Sequence, residues 1–243
     1  MILVLTPFLI KAQFIELGIK EIIDKEVGPL FYNKSISNNP FLVSFEIFNS
    51  GSVGYRARVR MDIYKDKNFL FSGWSKEHSL NPGIRSKFDI YWFPVNLTGN
   101  FIAKIRVYYG NEMDDLKPIN FKVKNTLTPK DVVEITNFKT YNDEIIFNIK
   151  SDQTLNNVLF IPSDYPLGWV FEQKKIENLE KNEKKQIVIP YEPTLWRETE
   201  LTINVITEDG EYYTKKQFSL EREGRLSQLL HYLLKIFKES IKI

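Results

Sequence analysis

From Gln13 onward, apolar and polar residues alternate with a period of two. Ile15, Leu17 and Ile19 open the pattern, and Phe41, Val43, Phe45 and Ile47 repeat it before Asn49-Ser50-Gly51 ends the run. The clearest alternation follows, with Tyr55, Ala57, Val59, Met61 and Ile63 on one side and Arg56, Arg58, Arg60 and Asp62 on the other. A helix would scatter those arginines around its circumference. A strand places one set on a core and the other in water, as an antiparallel sheet requires. Further strands are predicted over 68–74, 87–93, 101–109 and 119–124, separated by Asn81-Pro82-Gly83 and Leu97-Thr98-Gly99-Asn100. Seven short strands over about 110 residues is the spacing of a β-sandwich.

Residues 125–130 (NTLTPK) are polar, broken by Pro129, and read as a linker. The strand pattern then restarts over 132–138, 144–150, 158–161, 169–171, 185–189, 201–207 and 211–220, with Asp209-Gly210 as a hairpin turn. The halves share no sequence period, which excludes a solenoid. Beyond Gly224 the period changes: Leu226, Leu229, Leu230, Leu233, Leu234, Phe237 and Ile241 follow the three-and-four spacing of one helical face, with Lys235, Lys238 and Lys242 beside it. At the other end, the apolar run in Met1–Ala12 is too short for a bilayer, which takes about 20 residues, and reads as the remnant of an export signal or anchor.

The expected fold is therefore all-β. Two tandem immunoglobulin-like antiparallel β-sandwiches cover 13–124 and 131–220, and a C-terminal amphipathic α-helix covers 221–243. Composition agrees, with 43% hydrophobic and 26% charged residues. A net charge of +2, from 33 basic and 31 acidic side chains, argues against a nucleic-acid partner. No cysteine is present, and the two histidines, His78 and His231, stand on unrelated segments. That removes disulfides and thiolate chemistry and weakens any case for imidazole catalysis.

Two resemblances follow from local motifs. Phe48-Asn49-Ser50-Gly51, Leu80-Asn81-Pro82-Gly83, Tyr91-Trp92-Phe93-Pro94 and Gly99-Asn100-Phe101 together make residues 35–124 resemble the CARDB type of cell-adhesion-related domain found in prokaryotic, including archaeal, envelope proteins. Pro166-Leu167-Gly168-Trp169 and the strand from Lys184 to Ile189 make the second half similar to a sandwich domain associated with glycosidases. Both imply surface or accessory roles, and neither supplies a catalytic motif.

Candidate chemistry is sparse. Asn111-Glu112-Met113-Asp114-Asp115 clusters carboxylates in an expected loop but lacks the alternating ligands of a calcium loop. Glu192 and Glu198 flank Trp196, and Asp62 and Asp66 straddle a strand end. With 31 acidic residues such pairs arise by chance. Asn33-Lys34-Ser35 and Asn96-Leu97-Thr98 match the glycosylation sequon. Trp92 shares the phase of Phe88 and Ile90 and belongs to a core, whereas adjacent Tyr212 and Tyr213 require one ring to face outward. Trp196, in the loop-like EPTLWRE, is the candidate exposed contact. The expectation is a non-catalytic envelope or secreted protein with no cofactor and no metal. Its helix would meet a membrane surface or protein partner through Leu226, Leu229, Leu230, Leu233, Leu234, Phe237, Ile241 and the three lysines. The alternative is a carbohydrate-binding or accessory module, with a glycan at Trp196.

Overall fold

The computed structural model describes residues 22–37, 39–124, 130–141, 143–193 and 199–220. The expected leader (1–12), most of the linker, Trp196 and the expected helix with all its contact residues lie outside the described residues. What is described is all-β, with four sheets.

The first half contributes β1 (Glu26–Val27), β2 (Phe31–Tyr32), β3 (Ser35–Ile36), β4 (Phe41–Phe48), β5 (Tyr55–Lys65), β6 (Asn68–Trp74), β7 (His78–Leu80), β8 (Arg85–Trp92), β9 (Gly99–Tyr109), β10 (Glu112–Asp115) and β11 (Ile119–Val123). The second contributes β12 (Val133–Thr140), β13 (Glu144–Ser151), β14 (Leu155–Ser163), β15 (Val170–Phe171), β16 (Lys174–Leu179), β17 (Lys184–Glu192), β18 (Thr199–Thr207) and β19 (Tyr213–Leu220).

In the first half, β4 pairs with β8 along its whole length and also carries β1 and β2. The facing sheet runs β3-β11-β9-β5-β6, with β10 on β9 and β7 on β5. The alternating residues of β4, β5, β8, β9 and β11 enter one core, where Val59, Phe45, Ile90 and Ile105 are sealed from solvent. Asn49 joins two of the turns singled out above: its Nδ2 donates to the Val53 and Leu80 carbonyls at 2.9 Å, and its backbone brackets Gly83 and Ile84. This explains a fully buried asparagine, since every amide group there has a partner.

In the second half, sheets β12-β13-β17-β15 and β16-β14-β18-β19 enclose a core rich in aromatic rings, with Phe147, Phe160, Trp169, Phe171 and Tyr191 among its buried members. Lys130, read with the linker, is pinned here: its N–H donates to Glu211 and its carbonyl accepts from Tyr213.

The cores are not confined to their halves. Val158-Leu159-Phe160-Ile161 in β14 is an unbroken apolar run, the pattern of a strand covered on both faces. Val158 and Phe160 enter the second core, while Leu159 and Ile161, with Ile206 of β18, join the first. One half is the cover for the other's outer face.

Candidate functional site

The contact between the halves is built largely from polar side chains. The outward face of β5 was expected in water, and for Arg56 that holds. Asp62 instead has 1% of its surface exposed, because Arg60 Nε donates to one carboxylate oxygen at 2.8 Å and Arg106 Nη1 to the other at 3.3 Å. Arg58 turns to Glu192 at 2.6 Å. Both Arg58 and Arg60 also lie over the Trp74 ring, at 5.1 and 5.7 Å from its centroid. The second half covers this face, and burial of the charges is made tolerable by pairing, of Asp62 within the first half and of Arg58 with Glu192 across the seam.

Hydrogen bonds to backbone groups then stitch the seam. Trp74 Nε1 donates to the Trp169 carbonyl at 3.1 Å, and Gln173 N–H to the Trp74 carbonyl at 3.2 Å. Tyr165 donates its hydroxyl proton to the Ser72 carbonyl at 2.9 Å, and Glu172 Oε1 accepts from Glu77 N–H at 2.9 Å. The Gln173 side chain behaves as an added strand residue on the edge of β8: its oxygen accepts from Tyr91 N–H and its nitrogen donates to the Tyr91 carbonyl, both at 2.7 Å. Gly73 makes this approach feasible, because a Cβ there would stand 2.7 Å from Gln173 Nε2 and from the Phe71 ring. Burial raises the pKa values of Tyr91, Tyr165 and Glu172, and burial lowers that of Lys174, with the Lys76 charge adding to the last.

Two clefts open along the seam. One, of about 300 Å³, is lined by Trp92, Phe93, Tyr213, Asn204, Asp164 and Lys215 among others. Its polar groups are already engaged with one another: Tyr213 donates to Asn204 Oδ1, Asn204 donates to Ser163, and Lys215 lies 3.8 Å from Asp164. The other, of about 260 Å³, is walled by Lys76, His78, Lys87, Asp89, Lys174 and Lys175.

The remaining expected positions fall as follows. Trp92 is buried in the first core, and Trp74 and Trp169 are buried at the seam and in the second core. Neither Tyr212 nor Tyr213 faces freely outward: Tyr213 packs on Phe93 with ring centroids 5.5 Å apart, and Tyr212 packs against the second core. The expected outward ring is covered because the first half lies against that hairpin. Glu112–Asp115 is a strand paired with β9 instead of a loop, with Asp114 held by Lys25 and Asp115 by Arg106. Glu192 is tied to Arg58, while Glu198 lies outside the described residues. No three His, Cys, Asp or Glu groups converge as metal ligands among the described residues.

No protein-family model and no curated protein matches the chain. Among solved structures it is similar to red sea bream transglutaminase, at 10% identity and a TM-score of 0.26, covering 83% of this chain and 31% of that one. It is also similar to E. coli alpha-2-macroglobulin in its native conformation, at 9% identity and a TM-score of 0.29, covering 81% of this chain and 16% of that one. The chain thus spans less than a third of the length of either.

Proposed function

We propose that this protein is a non-catalytic interaction and spacer protein of the cell envelope or extracellular space. Its two β-sandwiches are immunoglobulin-like, the first of the CARDB type, and act as a stiff arm with docking surfaces. The amphipathic segment 221–243 is the attachment helix, meeting a membrane or protein partner through its leucine face and Lys235, Lys238 and Lys242.

The seam is the observation that supports this reading. A spacer transmits position only if its modules hold a fixed relation. The bidentate Gln173–Tyr91 clamp and the Trp74–Trp169 bond each tie a side chain of one half to the backbone of the other. Ordinary interdomain contacts leave relative motion as the default, and buried directional bonds of this kind oppose it.

The test is pull-down from native membranes together with liposome flotation, comparing the full chain with one ending at Glu223. Capture by the full chain alone is expected, with an unchanged thermal midpoint. Equal capture by both chains, or a large fall in the midpoint on truncation with capture retained, overturns the attachment role.

A further inference from the structure

The smaller seam cleft carries an imbalance of charge that the fold does not use. Lys87 and Asp89 project from the outward face of β8, Lys174 and Lys175 lie on β16, and Lys76 and His78 come from the β6–β7 turn and β7. Four lysines thus meet one carboxylate across the two halves.

Two of the four ammonium groups are neutralised. Lys87 Nζ lies 3.1 Å from Asp89 Oδ2, and Lys175 Nζ lies 2.8 Å from Glu208 Oε2. The other two have no carboxylate within ion-pair distance among the described residues. Lys174 is half-buried and its Nζ donates to the Val188 carbonyl at 3.1 Å, and exposed Lys76 forms no ion pair among the described residues. Glu172 feels the Lys76 charge, but its Oε1 is occupied by Glu77 N–H. The Lys76 charge also depresses the pKa values of both Lys174 and His78, behind burial in each case. Cations gathered in one cleft repel one another, and the arrangement is relieved when a counter-charge sits between them.

We propose that this cleft seats an oxyanion group, carboxylate, sulfate or phosphate, between the ammonium groups of Lys76 and Lys174. A volume of about 260 Å³ admits one such group with its immediate carrier and falls just under the range of about 300–1,000 Å³ usual for small-molecule sites. The seat is a property of the assembled pair, since Lys76 and Lys174 belong to different halves. It goes beyond the spacer reading and stands whether or not the full chain captures membranes.

Isothermal titration of the full chain at low salt tests the proposal with four probes: inorganic sulfate, inorganic phosphate, trigalacturonate and neutral galactotriose. Saturable binding of at least one anionic probe is expected, with none of galactotriose. Binding of the inorganic ions marks a free anion as the source, and binding of trigalacturonate alone marks an acidic sugar. Lys76→Ala, an exposed position, and Lys174→Gln should each weaken binding by about tenfold, the loss of one charge-assisted contact. Lys122→Ala, at an exposed position of β11 outside the cleft lining, should change nothing. Failure of all three anions to bind overturns the proposal. So does binding that survives both cleft substitutions, or that Lys122→Ala weakens equally.

Discussion

Asp62 shows what a single residue is asked to do at the seam. Its carboxylate is buried, yet both oxygens accept from guanidinium groups, Arg60 on its own strand and Arg106 on β9. Removing the acid leaves two partly buried cations facing each other, and breaking one side of such a pair costs about 3 kcal/mol or more. Asp62→Ala should therefore destabilise the chain by about that amount in urea unfolding, and Asp62→Asn by less. A loss below about 0.5 kcal/mol for the alanine variant, as at an ordinary surface site, would show that the network carries no weight. A second residue-level cost lies in the β5–β6 hairpin. Asp66 and Lys67 form its two-residue turn, both with positive φ, 49° and 69°, between the paired Lys65 and Asn68. That geometry favours Asn-Gly. Lys67→Gly should stabilise by about 1 kcal/mol, because glycine takes the left-handed region without steric cost.

Glu172 gives the pH dependence at the same scale. Burial raises its pKa above the ordinary 4.5, while the Glu77 N–H and the Lys76 charge partly offset the shift and the Glu77 and Glu192 carboxylates add to it. The folded state thus holds this proton more tightly than the unfolded state. Between 4.5 and the raised value, stability grows as pH falls; above the raised value the buried charge is a constant burden. Glu172→Gln keeps an acceptor for Glu77 N–H and removes the charge. Its thermal midpoint should exceed the wild type at neutral pH, and the gap should close on acidification towards pH 4.5. A gap that is constant with pH would exclude titration of Glu172 as its cause.

At the scale of elements, legibility depended on whether a strand has one wet face. β4 and β5 were read from the chain because Phe41 to Ile47 and Tyr55 to Ile63 alternate against polar neighbours. The strands β1, β2, β3 and β7, of two or three residues, are too short to show a period. The seam escaped for a different reason: the residues that form it look like surface. Arg58, Arg60 and Asp62 are covered through ion pairs, and Glu172 and Gln173 through bonds to the backbone of the first half, which alternation cannot reveal. One trace was present. Tyr91-Trp92-Phe93 places three aromatic rings in succession, and a strand cannot put all three on one face, so its outer side needed a cover. The basic cleft left no local trace, since its lysines come from positions about a hundred residues apart. The edge of β8 is where the two halves meet most closely. Gly73→Ala should push Gln173 off Tyr91, and Gln173→Ala should remove the clamp directly. Each should raise amide exchange at Tyr91 while leaving Ile90 protected, because Ile90 pairs with Val43 inside its own sheet. Unchanged exchange at Tyr91 would mean that the clamp is absent in solution.

At the scale of the whole molecule the question is whether two sandwiches unfold as two bodies or as one. A linker at 125–130 suggests independent modules, and each half does own a core and its own pair of sheets. The first core, however, includes Leu159, Ile161 and Ile206 from the second half, and the seam adds Trp74, Tyr165 and Gln173 to the shared structure. Separating the halves would expose those apolar side chains and leave the Asp62 network and the Tyr91 backbone facing water. Apolar burial contributes about 25 cal/mol per Å², so a few large side chains amount to several kcal/mol, comparable with the total stability of a small domain. The full chain should therefore show one calorimetric transition, with the calorimetric and van't Hoff enthalpies equal. Trp74→Ala removes the ring beneath Arg58 and Arg60 and the bond to Trp169, a loss of about 3 kcal/mol or more for a buried tryptophan. In that variant the transition should separate into two, the first half melting earlier because its outer face has lost its cover. Fragments 13–124 and 131–220 should each melt below the full chain for the same reason. If the wild type already shows two transitions, and the fragments melt at those same two temperatures, the halves are energetically independent and the seam is contact without coupling.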